Sequence, residues 1–146
     1  MASLFLDIGS NYVGGTTLVP IAQTTTVTGT YVDLQQMVAN MASAVLQVGA
    51  VSGTQGTFDI KMQASTATNT GFNDIPGATF TQVTTSGLTT GGALQIISFQ
   101  VPQRYVRAVG TAAGTFTSML LGVSVFGQRS TNPDNNGGWS NSGAAS

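Results

Sequence analysis

The clearest structural pattern in the sequence lies in residues 92–127, GALQIISFQVPQRYVRAVGTAAGTFTSMLLGVSVFG. It contains three short apolar runs that are rich in β-branched and aromatic residues: 93–101, 104–109 and 115–126. Pro102-Gln103 divides the first run from the second, and the small residues Gly110–Gly114 divide the second from the third. Such runs, separated by Gly and Pro, predict strands joined by tight turns. We therefore predict three strands here, with a turn at Gly110–Gly114.

The same kind of pattern extends over the preceding part of the chain. Further strands are predicted at residues 24–34, with a break near Gly29, and at residues 43–51, 57–63 and 79–85. Between them we expect a helical turn within 35–40, a loop at 52–56 and a Pro-Gly turn within 72–78. Phe58, Ile60 and Met62 alternate with polar residues, which is typical of a strand with one wet face. Seven to nine strands at this spacing predict an all-β, antiparallel sandwich or barrel.

The composition sets limits on the partners of this chain. It has 146 residues, of which only 6% are charged, and its formal net charge is −1. Soluble domains usually carry about a quarter charged residues, so the low value favours a protein that works in an assembly. A secreted β-domain is the alternative. Four basic residues are too few for direct nucleic-acid binding, and no apolar run is long enough to predict a membrane helix.

The two ends differ from the middle of the chain. In residues 1–23 the apolar residues lie among Gly9, Gly14, Gly15 and Pro20 without a regular alternation, which predicts an extended N-terminal arm. The arm either completes the core of its own domain or lies across a neighbouring subunit. Residues 24–128 form the β-domain, and 129–146 form a polar, flexible C-terminal tail that holds the single Trp139. A lone Trp in such a tail suggests an anchor into a groove.

The residue types that most catalytic and metal sites need are missing. The chain has no His, Cys or Glu, which excludes a His-dependent triad, thiolate chemistry and nearly all zinc sites. Asp59 and Asp74 fit a solvated strand face and a turn cap better than a catalytic pair. We predict no enzymatic activity, no cofactor and no metal.

Arg104 and Arg107 flank Tyr105 on one predicted strand. The alternatives for this segment are an arginine that ties down a carbonyl or an Asp, a ligand site in which Tyr105 stacks on a sugar, and a subunit contact.

Several pieces, taken in order, resemble the small jelly-roll decoration or cement proteins of tailed-bacteriophage heads. They are Tyr31-Val32-Asp33-Leu34, residues 56–65, residues 72–78, Gln103-Arg104-Tyr105-Val106-Arg107 and residues 121–127. The resemblance covers about residues 24–128. It implies an antiparallel two-sheet jelly-roll sandwich of eight strands that binds the outside of a phage head and stabilises contacts between capsid subunits.

The resemblance also implies partners and a location. The partners are the major capsid protein and further copies of the chain, with a trimer favoured over a dimer; the location is the capsid surface, after synthesis in the host cytoplasm. The alternatives are a carbohydrate-binding jelly-roll module and a phage tail or baseplate protein. The expected exposure of apolar and arginine side chains, and not a motif, predicts the partner contacts. They are Leu4, Phe5, Leu6, Tyr12, Arg104, Tyr105, Arg107 and Trp139.

Overall fold

The computed structural model describes residues 12–35, 37–86 and 93–129, which form eight antiparallel strands and no helix. This confirms the all-β, antiparallel prediction. The strands are β1 Tyr12–Gln23, β2 Val27–Thr28, β3 Val32–Asp33, β4 Met37–Ser65, β5 Asn73–Thr79, β6 Val83–Thr84, β7 Ala93–Gln100 and β8 Tyr105–Arg129.

Two long strands, β4 and β8, run side by side through the centre of the sheet. β1, β2 and β3 pair with the other edge of β8, while β5, β6 and β7 pair with the other edge of β4. The outer strands fall into two groups. The first half of the sheet consists of β1, β7, residues 37–52 of β4 and residues 116–129 of β8; the second half consists of β2, β3, β5, β6 and the remainder of β4 and β8.

Each half buries one of its faces. In the first half, alternate residues of β4 such as Ala44 and Leu46 are buried; in the second half, Phe58, Ile60 and Met62 are buried. A fully buried side chain of this size contributes about 1.5–3 kcal/mol. The alternation predicted for residues 57–63 is therefore confirmed.

The path of β8 is sharply bent. Thr16 pairs with Ser124 and Leu18 with Val123, so the backbone of Thr17 lies beside residues 123–124. The Oγ1 of the same Thr17 accepts a hydrogen bond from the backbone N–H of Ala108 at 2.9 Å. In a straight strand, Ala108 would lie about 50 Å from Val123. The bend brings Ala108, near the start of β8, close to residues 123–124 of the same strand.

Two predicted breaks are parts of these long strands, so those predictions were wrong. Residues 110–114 do not form a turn but continue β8, and residues 52–56 do not form a loop but continue β4. The two segments pair with each other and with their neighbours: Gly56 opposes Gly114, and Gly53 opposes Phe116. Gly53 and Gly114 have φ values of 133° and 78°, which side chains rarely adopt. The small residues thus permit register shifts and a bend within paired strands.

Three smaller predictions also differ from the structure. Strand β4 begins at Met37, where a helical turn was expected. The expected Pro-Gly turn is a bulge inside β5: Gly77 has a φ of 78°, and five steps along β5 correspond to two along β4. The expected strand at 79–85 is divided between the end of β5 and the short β6, with residues 80–82 outside both.

The described part of the N-terminal arm is the edge strand β1, which pairs with β8 of the same chain. Thr17 and Leu18 are buried, whereas Val19, Pro20 and Ile21 are exposed. Two register shifts interrupt the pairing, which explains why the sequence of this strand lacks a regular alternation. Pro20 is tolerated because an edge strand needs hydrogen bonds on one side only.

Candidate binding surface

The first half of the sheet carries no charged residue before Arg129 at its end. None occurs in β1, in β7, in residues 37–52 of β4 or in residues 116–128 of β8. Because one face of this half is buried in the core, the other face is a broad surface without charge. We call this outward surface the uncharged face.

Strand β7 shows why this face is apolar as well as uncharged. Its inward residues include Ile97 and the buried Phe99, while Leu94 and Ile96 point outward with 59% and 60% of their surfaces exposed. Apolar residues thus lie on both sides of one strand. Large apolar side chains that stay exposed together are typical of surfaces that bind another molecule.

The pairing register places outward residues of neighbouring strands in rows. Leu94 lies opposite Gln47, which lies opposite Gly122 on β8. A Cβ atom at Gly122 would be 2.9 Å from the Cβ of Pro20, so the absence of a side chain lets Pro20 of β1 lie over β8. In the same way, a Cβ at Gly49 would be 2.7 Å from Leu120 Cδ2.

A shallow groove of about 440 Å³ lies across these rows, and its lining is mostly apolar. Its outward lining residues are Pro20, Gln47, Gly49, Leu94 and Leu120. Other large apolar residues of the first half are also exposed: Tyr12, Val19, Ile21 and Met41. The uncharged face can therefore bury apolar side chains against a partner without desolvating any charge.

Apart from Arg129, the charged residues of the described ranges lie in the second half and in the loop that leads into β8. Asp33 accepts two hydrogen bonds from Arg104, from Nε at 2.9 Å and from Nη2 at 2.7 Å. These bonds lower the pKa of Asp33, with help from the backbone N–H of Gln35, and raise the pKa of Arg104. The Arg104 guanidinium also lies 4.8 Å from the ring centre of Tyr105, which meets Tyr31 edge to face.

A second polar network crosses three strands. Arg107 donates from Nε and Nη2 to Gln63 Oε1, at 3.0 and 2.9 Å, and stacks over the ring of Phe72 at 4.0 Å. Gln63 donates to Asp74, and Lys61 donates to the other oxygen of the same carboxylate at 2.6 Å. The hydrogen bonds from Lys61 and then Gln63 lower the pKa of Asp74. Both Arg104 and Arg107 therefore have hydrogen-bond partners within their own chain.

The structure separates the residues that the sequence suggested as partner contacts. Arg104 and Tyr105 lie together at one corner of the second half, and Arg107 lies farther along β8. Tyr12 belongs to the first half, 41% exposed and edge-on to Phe126 at 5.7 Å. Leu4, Phe5, Leu6 and Trp139 lie outside the described residues.

Apart from Tyr12, the exposed apolar residues of the uncharged face were missed by the sequence prediction. Leu94 and Ile96 belong to an apolar run whose outward members cannot be distinguished from its inward members by hydropathy alone. One feature of the sequence did contain the information: the segments 12–23, 37–52, 93–100 and 116–128 are all free of charge. The pairing order that unites them in one half is a property of the fold.

Within the described ranges, no group of three or more His, Cys, Asp or Glu is placed to hold a metal ion. No helix there has the length and apolar character needed to cross a membrane. A comparison with models of known protein families gives no match, and neither does a comparison with curated proteins.

Proposed function

We propose that this chain is a viral structural protein: a cement or decoration protein that binds the outside of a phage head and stabilises contacts between major capsid subunits. It acts by binding and not by catalysis. Its partners are the major capsid protein and further copies of itself, and its location is the capsid surface. The observation that carries the proposal is the uncharged, apolar face on one half of the sheet; apart from Arg129, the charged residues of the described ranges lie outside that half.

The finer fold in this proposal is a jelly-roll sandwich of two four-stranded sheets. The pairing order supports it. One group of four is β1, β8, β4 and β7. In the other group, β8 and β4 again lie at the centre, with the short strands β2 and β3 together at one edge and β5 and β6 together at the other. The bend in β8 supports it further. Both halves bury one face, and the described residues contain no helix that could cover either. Two sheets that cover each other satisfy this requirement.

The mechanism follows from the division of polar character between the halves. A protein that binds only to an assembled shell stabilises that shell by mass action, and the free energy comes from the area buried in the contact. The uncharged face can supply this area, while the charged half remains hydrated. In the second half, Arg104 and Arg107 make intramolecular contacts, which disfavours a role in gripping a sugar.

The test is binding to purified heads of the phage that encodes the chain, measured by co-sedimentation. Gln47 is exposed in the middle of the uncharged face, so Gln47→Lys places a charge there without disturbing the core. We expect this variant to bind heads at least about tenfold more weakly, because an unpaired charge is costly to desolvate.

Thr111→Lys is the matched control, since Thr111 is exposed on β8 in the second half and lies opposite Asp59. It should bind heads like the parent protein. Binding to isolated tails but not to heads would replace the head role by a tail or baseplate role. Specific glycan binding without either would favour the carbohydrate module.

A further inference from the structure

We propose that β7 is the edge through which two copies of this chain pair, antiparallel and about a two-fold axis. The inference deepens the self-association in the proposed function and rests on it. It names the surface and the symmetry: pairing of two identical strands gives a dimer, whereas the sequence-based expectation favoured a trimer.

The pairing of β7 with β4 is regular from end to end. Eight successive pairs, from Met41 with Gln100 to Val48 with Ala93, show no register shift. The strand contains neither Pro nor a charged residue. Among the described residues, no strand pairs with its side away from β4. A long, regular and uncharged edge readily adds another strand by backbone hydrogen bonding.

The other described edges of the sheet differ from β7 in ways that hinder such pairing. β1 contains Pro20 and two register shifts, β5 contains the bulge at Pro76-Gly77, and β2, β3 and β6 have two residues each. Proline, bulges and short length are features that natural sheets use to prevent pairing between molecules. Their absence from β7 distinguishes this edge within the molecule itself.

The side chains of β7 also favour a second copy as the occupant. A charged segment opposite Leu94 and Ile96 would have to bury its charge against apolar surface, whereas a second β7 brings only uncharged side chains. In a register centred on Ile96, residues 93–99 all pair, and the Ile96 side chains of the two copies are neighbours. Apolar cross-strand pairs of this kind stabilise antiparallel sheets. The two uncharged faces would then join into one continuous surface of eight strands.

The test is the mass of the full chain in solution, measured by sedimentation equilibrium. The variant is Ile96→Lys, which adds a charge to the β7 edge at a position that is 60% exposed. The matched control is Val19→Lys on the β1 edge, at a position that is 59% exposed. We expect a dimer for the parent and for Val19→Lys, and at least tenfold weaker association for Ile96→Lys.

Circular dichroism checks that both variants remain folded. Hydrogen exchange tests the β7 contact in the parent protein, without a variant. The β7 amides should become more protected as the protein concentration rises, and the β1 amides should not. A monomeric parent, or equal loss of association in both variants, would overturn the inference. A monomeric parent protein that still binds phage heads rejects the pairing and leaves the cement role standing. A dimer that does not bind heads leaves the pairing standing and rejects the cement role.

Discussion

Thr17 connects segments that are far apart in the sequence. It is buried, and its hydroxyl donates to the carbonyl oxygen of Thr30 at 2.6 Å while accepting from the N–H of Ala108 at 2.9 Å. Its own backbone carbonyl accepts from the N–H of Thr30 at 2.8 Å. One side chain therefore holds β1 against the opposite end of the bent β8. Buried polar groups of this kind are costly when one partner is removed.

Thr17→Val keeps the shape of the side chain and removes both hydroxyl bonds, leaving the Ala108 N–H and the Thr30 carbonyl without that partner. We expect the free energy of unfolding to fall by about 2–4 kcal/mol, measured by urea denaturation. Thr16→Val is the control, because the exposed Thr16 hydroxyl contacts only Ser124 Oγ, at 3.4 Å. That change should cost less than about 0.5 kcal/mol. Equal losses in the two variants would contradict the role assigned to Thr17.

At the residue scale, local alternation predicted side-chain direction well where polar and apolar residues alternate. Val106 and Ala108 point inward and Tyr105 and Arg107 outward, as their positions on one strand require. The partners of the arginines were not predictable, because Asp33 and Gln63 are 71 and 44 positions away in the sequence. Nothing in the sequence indicated the buried hydrogen bonds of Thr17, since a Thr among other small residues has no distinguishing context.

The bends in β4 and β8 are the main discrepancy at the scale of elements. A segment rich in Gly and Ser predicts a turn when it is considered alone, because nothing local shows whether its backbone groups find partners elsewhere. Here residues 52–56 lie beside residues 114–118, and each segment satisfies hydrogen bonds of the other. The all-β class was thus predictable from the sequence, whereas the continuity of the two longest strands was not.

Alanine substitutions at Gly114 and Gly77 test how tightly the close approach of β4 and β8 constrains the bend, through the loss in the free energy of unfolding. Both have a φ of 78°, but a Cβ at Gly114 would be 2.0 Å from the carbonyl oxygen of Gln55, whereas a Cβ at Gly77 would meet nothing within 4 Å. Gly77→Ala should therefore cost about 1 kcal/mol, for its conformation alone. Gly114→Ala should cost at least about twice as much, because the backbone must also move.

Urea denaturation of the two alanine variants, under the same conditions, checks this difference. If both variants lose the same stability, the close approach of β4 and β8 at Gly114 does not constrain the bend. A much larger loss for Gly77→Ala would show that the bulge in β5, and not the bend, is the more demanding site.

The distribution of charge over the whole molecule leads to a prediction about salt. A contact made by the uncharged face has no ion pairs to screen, while a contact made by the second half would involve Lys61, Arg104 and the carboxylates near them. We expect the Kd for heads to change less than about twofold between about 0.05 and about 0.5 M sodium chloride. Co-sedimentation over this range is the measurement. A steep loss of binding with salt would show that the charged half makes the contact.

Low charge, read from composition alone, pointed to an assembly but could not indicate which surface the assembly would use. That surface exists only because the pairing order gathers the four uncharged segments 12–23, 37–52, 93–100 and 116–128 into one half of the sheet. The resemblance in residues 24–128 carried the expectation of a phage head. The uncharged face is an independent reason, from physical chemistry, to look for a large partner.

The position of β8 in the chain has a consequence for biosynthesis. It follows β1, β2, β3 and β4 in the sequence, and all four pair with it. These four strands therefore leave the ribosome before β8, which pairs with all of them, has been synthesised. Until residue 105 and its successors emerge, several apolar, uncharged segments lack the neighbour that completes their sheet, which exposes the nascent chain to aggregation. The sheet of this domain therefore cannot be completed before β8 has been made, and its yield depends on how quickly β8 follows or on chaperones that cover the waiting strands.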